Sequence, residues 1–299
     1  MNIIKKLPIP ISGLILALLS LGNLLQDIHP YLKYAFGAIG AILLILMILK
    51  VLLYPQDLRD DFENPVIASS SGTFSMSVML SSTYLQPFTP RISCAIWIIG
   101  IALHILLMIY FTYRFVIRDF DIKTVYPTWW IVYVGITMAA ITSPAHNLEE
   151  AGIIFLAIGF IAMAITLPLM IYRYIKFPDI PDMNKPVTCI YTALFSILIV
   201  GYVNTAQTIS NEFLIGLYIV SCVLYIFSLY KLISYRNLEF YPSFSAFTFP
   251  FVISTIATKE IADLYPNVVM NNIAAIEMAI SLILVVYVLM RYAKFLKNS

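Results

Sequence analysis

Ten stretches of this chain are apolar over the roughly 20 residues that a helix needs to cross a lipid bilayer. They cover residues 7–28, 31–54, 66–86, 91–112, 127–144, 149–172, 187–206, 212–234, 241–262 and 268–290. The connectors between them are short, and none is long enough to form a domain of its own. The pattern therefore predicts an all-α, polytopic membrane protein with ten transmembrane helices in a single domain, residues 1–299.

A second pattern alternates along these segments. The third segment, VIASSSGTFSMSVMLSSTYL, carries seven Ser and two Thr, whereas the second contains the almost uniformly apolar run AFGAIGAILLILMILKVLL. The other odd-numbered segments are also rich in Ser, Thr, Gly and Pro. Hydroxyls gain little against lipid, but they are useful against other helices or a water-filled path. The alternation predicts five helical hairpins, with an inner ring of odd helices lining a pore and an outer ring of even helices.

A tightly packed bundle without a pore is the alternative, because small and hydroxyl-bearing residues also let helices approach closely. That interpretation suits isolated positions such as Gly37 and Gly40 in the second segment. Five alternate segments with one shared composition favour a central conduit.

Positive charge is distributed unevenly over the connectors. Fifteen of the eighteen Lys and Arg residues lie at the termini or in every second connector, and the remaining connectors carry only Lys33, Arg91 and Lys259. Positive residues are retained on the cytoplasmic side during insertion. We therefore expect a multi-pass protein of the plasma membrane with both termini in the cytoplasm.

The composition excludes several other classes of protein. Hydrophobic residues make up 61% of the chain, charged residues 11%, and the mean hydropathy is +0.90, so the bilayer must be the solvent for most of the surface. The net charge of +2 is spread over separate connectors, which argues against nucleic acid as a partner. Cys94, Cys189 and Cys222 lack metal-site spacing. We expect no cofactor and no metal.

The nearest approach to a metal cluster is His146 with Glu149 and Glu150 between the fifth and sixth segments. The spacing from Asn147 to Glu150 also matches the start of a helix, where the two side chains cap free backbone amides. We favour the capping interpretation. Since no Ser/His/Asp set occurs in a plausible site either, the sequence predicts no catalytic residues and a protein that is not an enzyme.

Four motifs appear in a fixed order along the chain: LPIPISGLILALLSLGNLL at 7–25, NPVIASSSGTFSM at 64–76, PTWWIVYVG at 127–135 and FSAFTFPF at 244–251. Together they resemble the tellurite-resistance/dicarboxylate transporter (TDT) family, which includes bacterial TehA-like channels, plant slow anion channels, and fungal malate and sulfite permeases. The resemblance implies a pore of five inner helices, a homotrimer, and a phenylalanine gate in the ninth helix. Phe249 matches that gate, and Phe247 is the second candidate.

The candidate pore-lining positions are small, hydroxyl-bearing or proline residues of the odd segments. They are Ser12, Gly13, Ser70, Thr73, Gly135, Thr192, Ser196, Ser245, Thr248 and Pro250. A conduit lined in this way binds ions weakly, and weak binding permits rapid passage. Helix dipoles and basic connectors at the cytoplasmic mouth favour anions. The predicted function is an anion channel or permease that moves small anions through a central, phenylalanine-gated pore.

Two other functions remain open at this point. A proton-coupled carrier of malate-like C4-dicarboxylates, or of sulfite or tellurite, needs a buried carboxylate or His to hold the proton. Glu277 and His104 are the candidates, and both lie on predicted outer helices, where hydrogen bonding between helices is the simpler role. A membrane protein without transport activity is the third class. Chloride, nitrate, formate, sulfite, malate and tellurite all remain candidate substrates.

Overall fold

The computed structural model describes residues 3–298, and every regular element in that range is a helix. The α-helices are α1 (Ile3–Lys6), α2 (Ile11–Leu25), α3 (Pro30–Leu53), α4 (Pro55–Phe62), α5 (Pro65–Ser70), α6 (Gly72–Leu85), α7 (Pro90–Phe111), α8 (Thr128–Tyr133), α9 (Thr137–Thr142), α10 (Glu149–Lys176), α11 (Tyr191–Thr205), α12 (Asn211–Ser234), α13 (Phe249–Leu264) and α14 (Val268–Asn298). The 3₁₀ helices are Ile122–Thr124, Ser143–His146, Asp182–Ile190 and Pro242–Phe247, and Thr112–Arg118 is a π-helix.

Six helices within residues 3–298 are long and apolar enough to cross a membrane. Five of them are α3, α7 with its π-helical extension, α10, α12 and α14. The sixth is the continuous helical run Asp182–Thr205. In the most apolar stretch of the first five, only 28% or 33% of the residues are buried, whereas the share in Asp182–Thr205 is 83%. The chain is a polytopic helical membrane protein, as the sequence pattern predicts.

The helices form two concentric layers. In the inner layer α2 packs against α6, α6 against α9, α9 against α11, and α11 against α13, which closes the ring by packing against α2. Each inner helix also packs against the long helix that follows it: α3, α7, α10, α12 and α14 respectively. The hydroxyl-rich stretches therefore lie inside, and the apolar helices surround them.

Four of the five inner segments are not the continuous helices that the hydropathy pattern predicts. The chain breaks between α5 and α6 at Ser71 and between α8 and α9 at Val134–Ile136, and α11 and α13 each follow a 3₁₀ helix. Hydroxyls contribute to the first break, because Ser69, Ser70 and Ser71 donate back to carbonyls of the preceding turn. Pro186 lies in the 3₁₀ helix before α11, and Pro242 begins the 3₁₀ helix before α13.

Gly135 shows why the second break needs a particular residue. The Trp130 carbonyl accepts both the Val134 and the Gly135 amide, so the helical turn widens at this point. A Cβ at Gly135 would lie 2.1 Å from the Ile131 carbonyl oxygen, a distance that no side chain tolerates. Only glycine fits here.

Two glycines on outer helices give a test of the two-layer packing. Alanine at Gly100 of α7 would place its Cβ 2.7 Å from Cγ and 2.8 Å from the backbone nitrogen of Met79 on α6, whereas a Cβ at Gly216 of α12 meets no atom within 4 Å. Both changes add similar helix propensity, about 0.8–1 kcal/mol. We expect Gly100→Ala to destabilise the protein by about 1–3 kcal/mol through overpacking, and Gly216→Ala to be neutral or stabilising.

Thermal unfolding of both variants in the same detergent measures this difference. Equal unfolding midpoints for the two variants would contradict the close contact between α6 and α7.

Candidate functional site

A small cavity lies inside the inner ring, and side chains from all five inner segments line it. Its volume is about 60 Å³, which holds only a few water molecules. We call it the central cavity. One lining residue from each segment in chain order is Gly13, Thr73, Gly135, Ala193 and Phe249. None of the described residues that line it is ionisable.

The central cavity coincides with the breaks in the inner helices. Helices α2, α6, α11 and α13 each begin within two residues of a lining side chain, and Phe249 is both the first residue of α13 and part of the lining. The N-terminus of a helix carries a partial positive charge and points its amides outward. Four helices of 14 to 16 residues thus begin beside one uncharged cavity, and one of them, α11, directly continues the 3₁₀ helix Asp182–Ile190.

Several residues selected from the sequence lie together in this lining. Those that line the central cavity are Gly13, Ser70, Thr73, Gly135, Ser245, Phe249 and Pro250. They come from four of the five inner segments, and the breaks described above bring them to one level of the ring.

The other selected residues lie next to the cavity or face away from it. Ser12 binds Thr73 across a hydroxyl pair 2.7 Å apart, and the Thr248 hydroxyl donates to the Ser245 carbonyl (2.6 Å) and the Gly13 carbonyl (3.3 Å). Both are therefore supports for the lining. Phe247 packs on the Phe244 ring, with the centroids 5.0 Å apart.

Thr192 and Ser196 are not part of the lining, contrary to the prediction. The Ser196 hydroxyl lies 2.7 Å from the Thr192 carbonyl and 2.8 Å from the Ser221 hydroxyl, so it faces the outer helix α12. Ala193 and Ile197, one residue further along α11, line the cavity instead. Successive residues of an α-helix are about 100° apart around its axis. Ala193 and Ile197 therefore face the cavity, while Ser196 faces α12.

Sequence reasoning missed the apolar and aromatic lining, above all Trp130. This side chain is 2% exposed, its ring packs edge-on against Tyr191, and its Nε1 finds no hydrogen-bond acceptor among the described residues. Trp129, by contrast, donates from Nε1 to the Thr124 carbonyl at 3.1 Å. The tandem tryptophans in a hydroxyl-rich segment were the available signal, but only packing shows which of the two faces inward.

A second cavity, of about 280 Å³, is lined by residues further along α2, α6, α9, α11 and α13. We call it the outer vestibule. Its polar lining is Ser20, Asn23, Gln26, Asp27, Asn204, Lys259 and Glu260. Along α13, Phe249 lines the central cavity, and Ile253, Ile256 and Glu260 line the vestibule. Spacings of four, three and four residues place these four on one helical face.

An apolar belt separates the two cavities. Leu80, Met138, Val200 and Ile253, one from each of four inner helices, form the part of the vestibule lining that continues from the central cavity. On α11 the face runs from Ile197 in the central cavity to Val200 and then Asn204 in the vestibule. Charged side chains thus line the vestibule and are absent from the described lining of the central cavity.

Each charged side chain that lines the vestibule makes at least one polar contact. The Lys259 ammonium lies 3.0 Å from carboxylate oxygens of both Asp27 and Asp263. Asn204 donates from its amide to Glu260 Oε1 at 2.8 Å.

His104 and Glu277 line neither cavity. His104 is fully buried, with Nδ1 2.7 Å from the Ser75 hydroxyl and Nε2 3.0 Å from the Val132 carbonyl, so both ring nitrogens connect α7 to the inner ring. Glu277 is 6% exposed on α14, which packs against α13. The expected roles between helices fit this placement.

The residues around His146 do not form a ligand set. Its Nε2 lies 3.0 Å from the Ser82 hydroxyl and its ring packs on Trp97, and burial lowers the pKa of the imidazole. Within residues 3–298, no three His, Cys, Asp or Glu side chains are placed to hold a metal ion. The predicted cap at Asn147 is wrong. Asn147 adopts a left-handed turn (φ 55°), which asparagine tolerates, and α10 follows Leu148 without a side-chain cap.

A sequence model of the voltage-dependent anion channel family, SLAC1, matches residues 6–293. The chain belongs to this family. The match covers nearly the whole chain and confirms the resemblance to the TDT family and slow anion channels that the sequence motifs indicate. A comparison with curated proteins found no match. Membership in the SLAC1 family supports a role in anion transport across a membrane.

His104 should be structural, and this can be tested separately from transport. We expect His104→Ala to destabilise the protein by about 2–4 kcal/mol, since it leaves a cavity and removes two buried hydrogen bonds. Thermal unfolding in detergent measures the loss. His29→Ala is the control, because His29 is exposed and loses only its contacts with Tyr31, namely the hydrogen bond from the amide and the ring stacking at 5.1 Å. Loss of transport by folded His104→Ala protein would contradict a purely structural role.

Proposed function

We propose that this protein is a passive channel or permease for small anions, whose path runs through the central cavity, the apolar belt and the outer vestibule. The observation that carries the proposal is the convergence of four helix starts on a cavity without ionisable residues. Amide dipoles attract an anion there without the tight binding that a buried Lys or Arg would cause. Membership in the SLAC1 family supports the same substrate class.

We propose that Phe249 is the gate. Its ring belongs to the lining of the central cavity, it is 5% exposed, and Ile253 of the apolar belt follows it one turn later on the same face. The residue before it is held by hydrogen bonds from the Thr248 hydroxyl to both α2 and the 3₁₀ helix. An aromatic side chain on a fixed backbone position can close a path this narrow by a rotamer change alone.

The proposed topology has ten crossings in one domain, with both termini in the cytoplasm of a cell and the protein in the plasma membrane. Five crossings are the outer helices, and five are the inner segments. Interrupted helices are compatible with membrane depth where protein or a cavity surrounds them, and the outer layer provides that cover here. The distribution of Lys and Arg supports the orientation. A homotrimer follows from the family resemblance.

The central cavity favours a small anion over a C4-dicarboxylate. It is small, and none of its described lining residues offers a cation to balance a second negative charge. The two groups first considered for proton coupling, His104 and Glu277, are absent from its lining. A dicarboxylate, sulfite or tellurite carrier remains the competing proposal.

Reconstitution distinguishes these functions. We expect purified protein in liposomes to pass chloride and nitrate without a pH gradient, to exclude potassium, and to move malate much more slowly, because dipoles but no fixed cations surround the cavity. An ion-replacement series with and without a pH gradient measures this. Equal passage of potassium and chloride, or transport that occurs only with the gradient, would contradict the proposal.

The gate has its own test. We expect Phe249→Ala to raise the anion conductance at least about tenfold, since the ring no longer narrows the path. Phe247→Ala is the matched control, because Phe247 is equally buried two residues away but packs on Phe244 outside the lining. Single-channel or liposome flux recordings compare the two. Unchanged conductance in folded Phe249→Ala protein would remove Phe249 from the gate.

A further inference from the structure

Glu260 is an acidic side chain that faces the proposed anion path. Its Oε1 accepts from the Asn204 amide at 2.8 Å, whereas its Oε2 is buried and finds no donor among the described residues. The amide oxygen of Asn23, in the same vestibule, is also buried without a donor from those residues. Two buried acceptor atoms of the vestibule thus have no donor among the described residues.

No Lys, Arg or His side chain among the described residues forms a salt bridge with the Glu260 carboxylate. Its neighbour in the chain, Lys259, holds Asp27 and Asp263 at 3.0 Å each, and α11 contributes only the neutral Asn204. The 3₁₀ helix Pro242–Phe247 carries no titratable group. The titratable groups on the other elements around α13 are Asp27 beyond α2, Tyr191 and Tyr202 of α11, Glu212, Tyr218, Cys222, Tyr225, Tyr230 and Lys231 of α12, and Glu277, Tyr287, Arg291, Tyr292, Lys294 and Lys297 of α14. The cations among them lie near the C-terminal ends of α12 and α14, and Arg291 packs on Phe240 and Phe244, at the opposite end of α13 from Glu260.

Protonation of the Glu260 carboxylate would remove its buried negative charge. Burying an ionised carboxylate without a salt bridge is costly, whereas a protonated carboxyl group is neutral and itself supplies a hydrogen-bond donor. The formal charges of Asp27, Lys259, Glu260 and Asp263 leave the vestibule two units negative when all are ionised. Protonation of Glu260 halves this charge and lowers the electrostatic barrier that an anion meets.

We propose that Glu260 is a proton-binding site in the outer vestibule and determines how readily anions pass. The inference rests on the proposed anion path. Anion flux rises as the pH falls, because protonation removes negative charge from the path, and flux decreases as the pH rises and the carboxylate forms. The site requires no covalent step and no cofactor, and the proton is its only ligand.

Chloride flux at symmetric pH tests the site, because equal pH on both sides removes any driving gradient. We expect the unmodified protein to pass chloride roughly three to ten times faster at about pH 5 than at about pH 9. Glu260→Gln keeps the side-chain volume and the acceptor for Asn204, and its flux should stay at the high level throughout. Asp263→Asn is the matched control, since it removes an exposed carboxylate three residues away and should retain the pH dependence.

Asn204→Asp provides a second readout that does not depend on removing Glu260. A carboxylate next to Glu260 makes its ionised form less favourable, so the midpoint of the flux profile should move up by about one pH unit or more. A purely structural role of Glu260 predicts no such shift.

Three results would overturn the inference. They are pH-independent flux in the unmodified protein, a pH dependence that survives in folded Glu260→Gln protein, and an unshifted midpoint in Asn204→Asp. If no variant passes chloride at any pH, the proposed anion path itself fails, a result that differs from all three.

Discussion

The structure depends on the requirement that backbone polar groups inside a bilayer find partners within the protein. The outer helices α3, α7, α10, α12 and α14 meet it mostly through their own intrahelical bonds, with one N–H missing at Pro168 inside α10. Their continuity shields the inner segments from lipid. The inner segments can therefore contain breaks, 3₁₀ turns and prolines that would be unfavourable at a lipid-facing position.

These breaks give the cavity its chemical character. Most hydroxyls of the inner segments are engaged with carbonyls of the preceding turn, as Ser75 is with Gly72 and Thr255 with Phe251. The lining is consequently less polar than its share of Ser and Thr suggests. In the proposed function, helix starts rather than side-chain charges attract the anion, and they do so without holding it tightly.

The distribution of acidic and imidazole groups fits the same principle. His104 is buried in the wall of the protein with both nitrogens bonded, whereas Glu260 borders the path with one oxygen bonded. The Glu260 Oε2 atom, which has no donor among the described residues, thus belongs to a residue that lines the vestibule. The spacing of Glu260 from Phe249 along one face of α13 also connects the charged end of the path to the proposed gate.

Hydropathy in the sequence was sufficient for the membrane setting and for the alternation of hydroxyl-rich and apolar segments, because both depend on composition over whole segments. The four ordered motifs were sufficient for the family. The motif around Phe249 also identified a residue of the lining. Only the tertiary structure decided which face of α11 turns inward, where the inner helices break, and that Trp130 and Glu260 border the path. A helical repeat places Thr192 and Ser196 on one face, but the neighbouring helices decide whether that face meets a cavity or another helix.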